Sequence, residues 1–315
     1  MAARPAEVDF GADVDNAPAT RQRLGGDMTF RNRTIFISGA SRGIGLAIAC
    51  RLARDGANII LAAKTAEPHP KLPGTVYSAA KEIVARGGKA LPVVCDIRDE
   101  AQVQAAVDQG VAAFGAIDVC INNASAIALT GTLKTDMKRY DLMNQVNARG
   151  TFLCSKLTLP HLLKASNPHI LNLAPPLDLD PKWFAGHVAY TMAKFGMSLC
   201  TLGMAAEFRG KVAVNSLWPI TAIDTAAVRF ALGGDAMAAE SRSPEILADA
   251  AYAILSRPVA DCSGNFFIDE EVLRAEGMTD FSRYSPGSAD KPLQGDFFVP
   301  DAVFDRSPTK IKRGF

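Results

Sequence analysis

The fold is decided by Thr34-Ile-Phe-Ile-Ser38-Gly39-Ala-Ser41-Arg42-Gly43-Ile44-Gly45. The first five residues form an apolar run that predicts a buried strand, and the glycines that follow predict a tight turn into a helix. Glycine suits such a turn because it lets a phosphate group approach the backbone, while the helix N terminus offers unpaired N–H donors. Any tight strand-to-helix connection also favours glycine, so a purely structural role stays open. As a binding site, the turn would present Gly39, Ser41, Arg42, Gly43, Ile44 and Gly45 to a dinucleotide.

Apolar runs and helix-type patterns alternate along the rest of the chain. Seven strands are predicted, at Thr34–Ser38, Asn58–Ala63, Ala90–Cys95, Ile117–Ile121, His169–Ala174, Val212–Leu217 and Asn265–Ile268. Helices are predicted between them, at Ile44–Asp55, Val76–Arg86, Glu100–Phe114, Met137–Lys164 and Val188–Phe208. Strict alternation implies crossovers that return over a parallel sheet. The expected fold class is therefore α/β, a Rossmann-type, doubly wound, seven-stranded parallel sheet in a single domain.

Three stretches depart from this alternation. Residues 1–28 are rich in Ala, Asp and Arg without apolar periodicity, and predict a mobile N-terminal extension. Residues 64–74 contain Pro68, Pro70 and Pro73, and predict an extended loop after the second strand. Residues 278–315 are also proline-rich and predict a C-terminal tail that wraps the surface. The folded domain is therefore expected at residues 29–277.

Composition favours small-molecule chemistry. The chain has 34 Lys and Arg against 33 Asp and Glu, so its charge would attract neither nucleic acid nor an anionic membrane. It lacks an apolar run of about 18 residues and an N-terminal signal pattern, so we expect no membrane insertion and a cytoplasmic location. The six cysteines are scattered singly, without the spacing of a metal site.

The end of the second strand bears on the choice of dinucleotide. NAD enzymes place a carboxylate there against the ribose 2′-hydroxyl, whereas NADP enzymes need a cation for the 2′-phosphate. This chain has Lys64 and no acidic residue at that point, and Arg42 in the glycine turn is a second candidate. The sequence therefore predicts NADP(H), unless both cations are ordinary surface charges.

A set of motifs in a fixed order resembles the short-chain dehydrogenase/reductase family, from about residue 33 to residue 270. The motifs are Gly39, Gly43 and Gly45, Asp96 after the third strand, Asn122-Asn123-Ala124 after the fourth, Asn147, and Tyr190-x-x-x-Lys194. A closer resemblance, to the hydroxysteroid dehydrogenase-like members, rests on residues 63–71, 169–176 and 266–270. Animal members carry a C-terminal sterol-carrier-type domain, which we do not expect here because the sequence ends at Phe315.

The resemblance implies roles for these residues. Tyr190 would exchange a proton with a carbonyl oxygen, with Lys194 favouring the phenolate, since a phenol has an ordinary pKa near 10. The two side chains are four positions apart and share a helix face, a spacing that also occurs in simple packing. Lys194 would also hold the nicotinamide ribose, Asn147 would link Lys194 through water to solvent, and Asp96 would bind the adenine. The remaining contacts expected with the cofactor are Asn122 through its side chain, Ala124 through its backbone, and Thr221. A homodimer or homotetramer is likewise implied.

Two departures from the family pattern concern catalysis. The family has a catalytic serine after the fifth strand, but this chain has Ala174 and Pro175 there. A missing oxyanion donor typically lowers the rate about a hundredfold or more; the candidates to replace it are Ser125, Asn172 and His187. The family also has Pro-Gly where this chain has Pro219-Ile220.

Two functions follow from these motifs. The first is an NADP(H)-dependent oxidoreductase that interconverts a carbonyl and an alcohol on a largely apolar, lipid- or steroid-like small molecule. The second is a catalytically weak NADP-binding sensor or interaction module, because the serine is absent. Residues 224–234 would form a substrate lid, and an apolar pocket could draw on Leu177, Trp183, Phe184, Ile220 and Phe230.

Overall fold

Seven parallel strands form the central sheet of the computed structural model, which describes residues 29–69, 72–285 and 291–314. The strands are β1 (Thr34–Ser38), β2 (Asn58–Ala63), β3 (Lys89–Val94), β4 (Val119–Asn122), β5 (His169–Asn172), β6 (Ala213–Trp218) and β7 (Phe266–Ile268). Their order is β3-β2-β1-β4-β5-β6-β7, and every neighbouring pair is parallel. The predicted fold class is therefore confirmed. The predicted N-terminal extension, residues 1–28, lies outside the described residues.

Two layers of helices cover the sheet. The helices are α1 (Gly43–Ala53), α2 (Val76–Ala85), α3 (Glu100–Phe114), α4 (Met137–Met143), α5 (Gly150–Leu162), α6 (Val188–Glu207), α7 (Gly234–Ala239), α8 (Glu245–Leu255), α9 (Asp269–Ala275) and α10 (Asp301–Arg306). Helices α1, α2, α8 and α9 pack on one face, and α3, α5 and α6 on the other. The central strands are buried along their whole length, as expected of a parallel sheet covered on both faces. Among the described residues, none of these helices combines the length and apolar character needed to cross a bilayer.

The strand order reverses between β1 and β4. Strands β2 and β3 lie on one side of β1, while β4 and the later strands lie on the other. The loops that leave β1 and β4 therefore diverge and open a crevice at the carboxyl edge of the sheet, where folds of this class bind their ligands.

The long predicted helix Met137–Lys164 is interrupted by a π-helical turn. Helices α4 and α5 are joined by Asn144–Arg149, which has π-type hydrogen bonding. Asn147 lies in this turn, fully buried; its Nδ2 donates to the carbonyl of Ala126 at 2.9 Å and its Oδ1 accepts from the N–H of Ala126 at 2.8 Å. The turn therefore fixes the loop that follows β4.

The C-terminal residues differ from the predicted surface-wrapping tail. Leu293–Gln294 (β8) pairs in parallel with Ile311–Lys312 (β9), and α10 lies between them. Phe298 and Val299 are completely buried, because a short apolar run in this stretch packs onto the carboxyl edge of the sheet. We call residues 293–304 the C-terminal cover. Earlier in the same stretch, Phe281 and Tyr284 also join the core.

Candidate active site

The backbone of the glycine turn requires glycine at particular positions. Gly39 has φ +71° and Gly43 has φ +57°, a region that favours glycine. A Cβ on Gly39 would lie 2.7 Å from the Cα of Ala124, so the ends of β1 and β4 meet too closely for a side chain. Gly45 similarly packs against the side chain of Asn123.

A cleft of about 490 Å³ lies beside this turn. Eight of the predicted cofactor residues line it: Gly39, Ser41, Arg42, Gly43, Ile44, Lys64, Asp96 and Ala124. They come from the ends of β1, β2, β3 and β4, which the fold brings to one edge. The cleft therefore unites the phosphate end and the adenine end of the predicted site.

Asn122 does not face this cleft through its side chain. Its Nδ2 donates to Ser155 Oγ at 2.9 Å and to Asn172 Oδ1 at 2.8 Å, inside the core. Its neighbour Asn123 lines the cleft instead, and its Nδ2 donates to the carbonyls of Ser38 and Gly39 at 3.0 Å. The prediction for the Asn122 side chain was wrong because alternation along β4 turns the last residue of the strand inward. That alternation could have indicated Asn123.

Three charged residues shape the end of the cleft at β2. Lys64 is exposed, whereas Arg42 donates from Nε to the carbonyl of Pro73 at 2.7 Å and from Nη2 to that of Gly74 at 2.9 Å. Arg42 thus fastens the loop after β2 to the glycine turn. The hydrogen bonds from Arg98 lower the pKa of Asp96, so this residue stays a carboxylate.

Tyr190 and Lys194 lie on α6, near the carboxyl ends of β5 and β6. Lys194 Nζ donates to the carbonyl of Leu173 at 2.7 Å and lies 4.8 Å from the ring centroid of Trp218. Burial lowers the pKa of Lys194 to about 7. Burial also raises the pKa of Tyr190, with a further contribution from the charge of Asp296. This arrangement therefore keeps the phenol protonated, which differs from the expected activation by Lys194.

The C-terminal cover lies directly on Tyr190, a contact that the sequence analysis missed. The ring centroids of Phe298 and Tyr190 are 6.0 Å apart, and Trp218 Nε1 donates to the carbonyl of Phe297 at 2.7 Å. Next to them, Gly295 forms an isolated antiparallel bridge with Thr221. Three consecutive apolar residues, 297–299, in a proline-rich stretch were the available signal.

Thr221 is fully buried by this contact. Its Oγ1 has no hydrogen-bond partner among the described residues. A buried hydroxyl without a partner is uncommon, and suggests a position that a ligand completes. Thr221 does not line the cleft, so the fit to the nicotinamide dinucleotide that the family resemblance implies rests mainly on the glycine turn, Lys64 and Asp96, which do.

The three residues that could replace the family serine differ in their exposure and in the hydrogen bonds that they already make. Asn172 is not available, because its Oδ1 accepts from Asn122 and its Nδ2 donates to Thr201 Oγ1 at 2.8 Å. Ser125 is exposed and lines the cleft beside the glycine turn. His187 has its Nδ1 3.0 Å from Thr191 Oγ1, and burial lowers its pKa.

A second cavity, of about 520 Å³, lies on the outer side of the C-terminal cover. Its wall includes Trp183, His187, Asp296, Phe297 and Phe304. The other residues expected in an apolar pocket are dispersed: Leu177 and Phe184 pack against the cluster around Tyr190, Ile220 is buried inside it, and Phe230 lines the cleft beside the glycine turn. Within the predicted lid, residues 224–234, Thr225 lies close to Gly43.

Known proteins share both the sequence and the fold. The short chain dehydrogenase family profile matches residues 33–231. Hydroxysteroid dehydrogenase-like protein 2 of Danio rerio is 61% identical over 268 residues, which cover 84% of this chain and 63% of that protein. This chain therefore spans less than two thirds of that relative. The resemblance predicted from the motifs is confirmed.

Solved structures give the same result. A putative dehydrogenase from Xanthomonas campestris is 56% identical, with a TM-score of 0.83, and the match covers 86% of this chain and 99% of that one. A metagenomic short-chain oxidoreductase, solved in complex with NADP, is 26% identical, with a TM-score of 0.63 over 76% of this chain and 97% of that one.

Proposed function

Because this chain belongs to the short-chain dehydrogenase family, we propose that it is an NADP(H)-dependent oxidoreductase that interconverts a carbonyl and an alcohol on a largely apolar, lipid- or steroid-like small molecule. The observation that carries the proposal is the placement of Tyr190 and Lys194 at the same sheet edge as the glycine turn. The name of the Danio rerio relative, hydroxysteroid dehydrogenase-like protein 2, supports the apolar substrate class.

The preference for NADP(H) is argued from the end of β2. Lys64 follows this strand, lines the cleft and is exposed, so its ammonium can reach a 2′-phosphate. Arg42 holds the adjoining loop and lines the same cleft. The related metagenomic oxidoreductase bound to NADP supports this preference.

Each group in the site has a proposed task. A bound nicotinamide would supply or accept the hydride. Tyr190 donates a proton to the carbonyl oxygen in reduction and removes it in oxidation. Lys194 binds the ribose and, when charged, favours the phenolate. Asn147 holds the loop after β4, through Ala126, and supports a water path to Lys194.

Cofactor preference can be tested by charge reversal at Lys64. Lys64→Glu should weaken NADPH binding by about tenfold or more, with little effect on NADH, because a charge-assisted contact is worth about 1.5–3 kcal/mol. Lys81→Glu, at an exposed position on α2, makes the same change of charge away from the cleft and serves as the control. Equal losses for NADPH and NADH, or equal losses in both variants, would refute the assignment.

Turnover separates the oxidoreductase from the alternative, a catalytically weak NADP-binding sensor or interaction module. Two observations favour the alternative: Ala174 stands near the position of the family serine, and Phe298 covers Tyr190. Wild type and Tyr190→Phe should be screened with aldehydes, ketones and alcohols under saturating NADP(H). We expect Tyr190→Phe to lose at least about a hundredfold in kcat. Equal rates would remove the proposed mechanism.

We also propose a homodimer or homotetramer and a cytoplasmic location. Homo-oligomers with closed symmetry are common among enzymes of this size, and the six cysteines are free thiols, as a reducing compartment requires. Sedimentation equilibrium and cell fractionation test these two points.

A further inference from the structure

Tyr190 is shielded from any substrate in this structure. Its side chain is only 5% exposed, although the proposed chemistry requires its hydroxyl to meet a carbonyl oxygen. It lines neither the cleft beside the glycine turn nor the outer cavity. The C-terminal cover contributes to this shielding, since Phe298 packs beside Tyr190, while Asp296, Phe297 and Phe304 of the same cover form part of the wall of the outer cavity.

Phe298 is the residue of the cover that contacts the site most directly. It is completely buried, and its ring centroid lies 6.0 Å from that of Tyr190. The same ring lies 6.1 Å from Trp218, 5.4 Å from Phe195 and 5.8 Å from Trp183. One phenyl group therefore fills an aromatic slot beside the proposed proton donor.

The backbone at Phe298 is strained. Its φ is +63°, in the left-handed region that is unfavourable for a residue with a Cβ. A bulky residue keeps such a conformation only when its surroundings hold it there, and strain of this kind is concentrated at functional sites. Here the aromatic contacts of the ring, and the hydrogen bond from Trp218 Nε1 to the carbonyl of Phe297, hold the residue in place.

The covered arrangement is also unsuited to proton transfer. The cover brings the carboxyl of Asp296 near both Tyr190 and Lys194, and burial raises the pKa of Asp296 to about 8. The pKa of Tyr190 is raised and that of Lys194 is lowered to about 7, again by burial. Each of these groups is shifted towards its neutral form, whereas activation of the phenol needs a charged lysine.

We propose that Phe298 occupies the place of the substrate's own apolar group beside Tyr190, and that the cover withdraws this ring when a substrate binds. This inference rests on the proposed function. It restricts the substrate class to carbonyl compounds and alcohols that carry an apolar ring of phenyl size or larger next to the reacting carbon. Only such a group restores the aromatic contacts that are lost when Phe298 leaves; a small polar carbonyl leaves the slot unfilled.

The test compares Phe298→Gly and Phe298→Leu with Phe304→Ala. Glycine removes the ring and suits the left-handed backbone, while leucine keeps an apolar side chain in the slot. Phe304 belongs to the same cover and is also buried, at 8% exposure, but it packs against Gly295 and Arg313. It therefore serves as the matched control.

Two measurements are needed. The first is the ionisation of Tyr190, obtained by ultraviolet titration of each protein and of its Tyr190→Phe counterpart. The second is kcat/KM for a phenyl ketone and for a small aliphatic ketone under saturating NADPH. For Phe298→Gly we expect Tyr190 to ionise at a lower pH than in wild type, and kcat/KM to rise about tenfold for both ketones, because neither substrate has to displace the ring. The preference for the phenyl ketone should persist, since its ring still fills the slot. Phe298→Leu should lie between Phe298→Gly and wild type, and Phe304→Ala should match wild type.

The possible outcomes separate this inference from the proposed function. Unchanged ionisation and unchanged kcat/KM in Phe298→Gly, no preference for the phenyl ketone in wild type, or the same changes in Phe304→Ala, would overturn the role of Phe298 even if the enzyme is active. If Tyr190 ionises at a lower pH in Phe298→Gly but no variant turns over either ketone, the result would support the shielding of Tyr190 by Phe298 and reject the proposed oxidoreductase activity.

Discussion

Arg242 and Glu270 form a buried ion pair, and we expect the fold to lose stability when one of its two charges is removed. Arg242 Nη2 lies 2.6 Å from Glu270 Oε2, and both side chains are 1% exposed. The same carboxylate accepts hydrogen bonds from Ser307 Oγ at 2.5 Å and Thr309 Oγ1 at 2.8 Å. The pair therefore connects α9 to the residues that follow α10.

Glu270→Gln keeps the size of the side chain and removes its charge. The guanidinium of Arg242 is then left in the interior, where its Nε and Nη1 already have no partner among the described residues. Removing one member of a buried pair typically lowers the free energy of unfolding by about 3–5 kcal/mol. Burial raises the pKa of the nearby Asp269 carboxyl to about 6, so at pH 7 it is still mostly ionised and we expect the loss at the lower end of that range.

The assay is urea unfolding followed by circular dichroism at pH 7. Glu271→Gln is the matched control, because Glu271 Oε1 lies at the same 2.6 Å from Arg306 Nη2, but at the surface. Exposed pairs contribute about 0–1 kcal/mol. The double variant Arg242→Met/Glu270→Gln should lose less than the sum of its single variants, since it leaves no unpaired charge. Equal losses for Glu270→Gln and Glu271→Gln, with unchanged m-values, would refute this reasoning.

Three further predictions concern the glycine turn, the core and the π-helical turn. Gly39→Ala should weaken NADPH binding about tenfold or more in a fluorescence titration, because φ +71° and the contact with Ala124 disfavour a side chain; an unchanged Kd would contradict this. In the folded protein, burial and, to a smaller extent, the charge of Arg33 lower the pKa of His169 from 6.5 to about 4. As the pH falls, this imidazole is therefore protonated in the unfolded chain before it is protonated in the folded one. Stability should therefore decline from about pH 6.5 to about pH 4 by up to about 3 kcal/mol in urea unfolding, and His169→Asn should flatten this decline. Asn147→Ala should lower the free energy of unfolding by about 1–3 kcal/mol for each backbone group of Ala126 left unpaired, and a loss below about 0.5 kcal/mol would count against that role.

The parts of the fold and of the site that could be predicted are those determined by residues close to one another in the sequence. The apolar runs of β1 and β2 have the predicted bounds, because continuous burial on both faces requires continuous apolar sequence. The glycine turn was recognisable because its backbone angles favour glycine. Lys64 was found at the end of β2 because its position depends only on where that strand ends.

What could not be predicted depends on contacts between distant parts of the chain. The environment of Tyr190 is set by residues about a hundred positions later, in a stretch without strand or helix periodicity. The ammonium of Lys194 was therefore expected to stay charged, whereas burial under that stretch lowers its pKa to about 7. The hydrogen bond of Lys194 with Leu173 and its position over Trp218 likewise come from tertiary packing.

The parallel pairing of β8 with β9 determines how the residues between them can move. Leu293 lies opposite Ile311 and Gln294 opposite Lys312, so the intervening chain is a loop tethered at both ends. A tethered loop that swings out gains far less conformational freedom than a free terminus would, because its ends stay together. The opening proposed above would therefore cost less conformational entropy on reclosing than the ordering of a free terminus, as long as the pairing of β8 with β9 is kept.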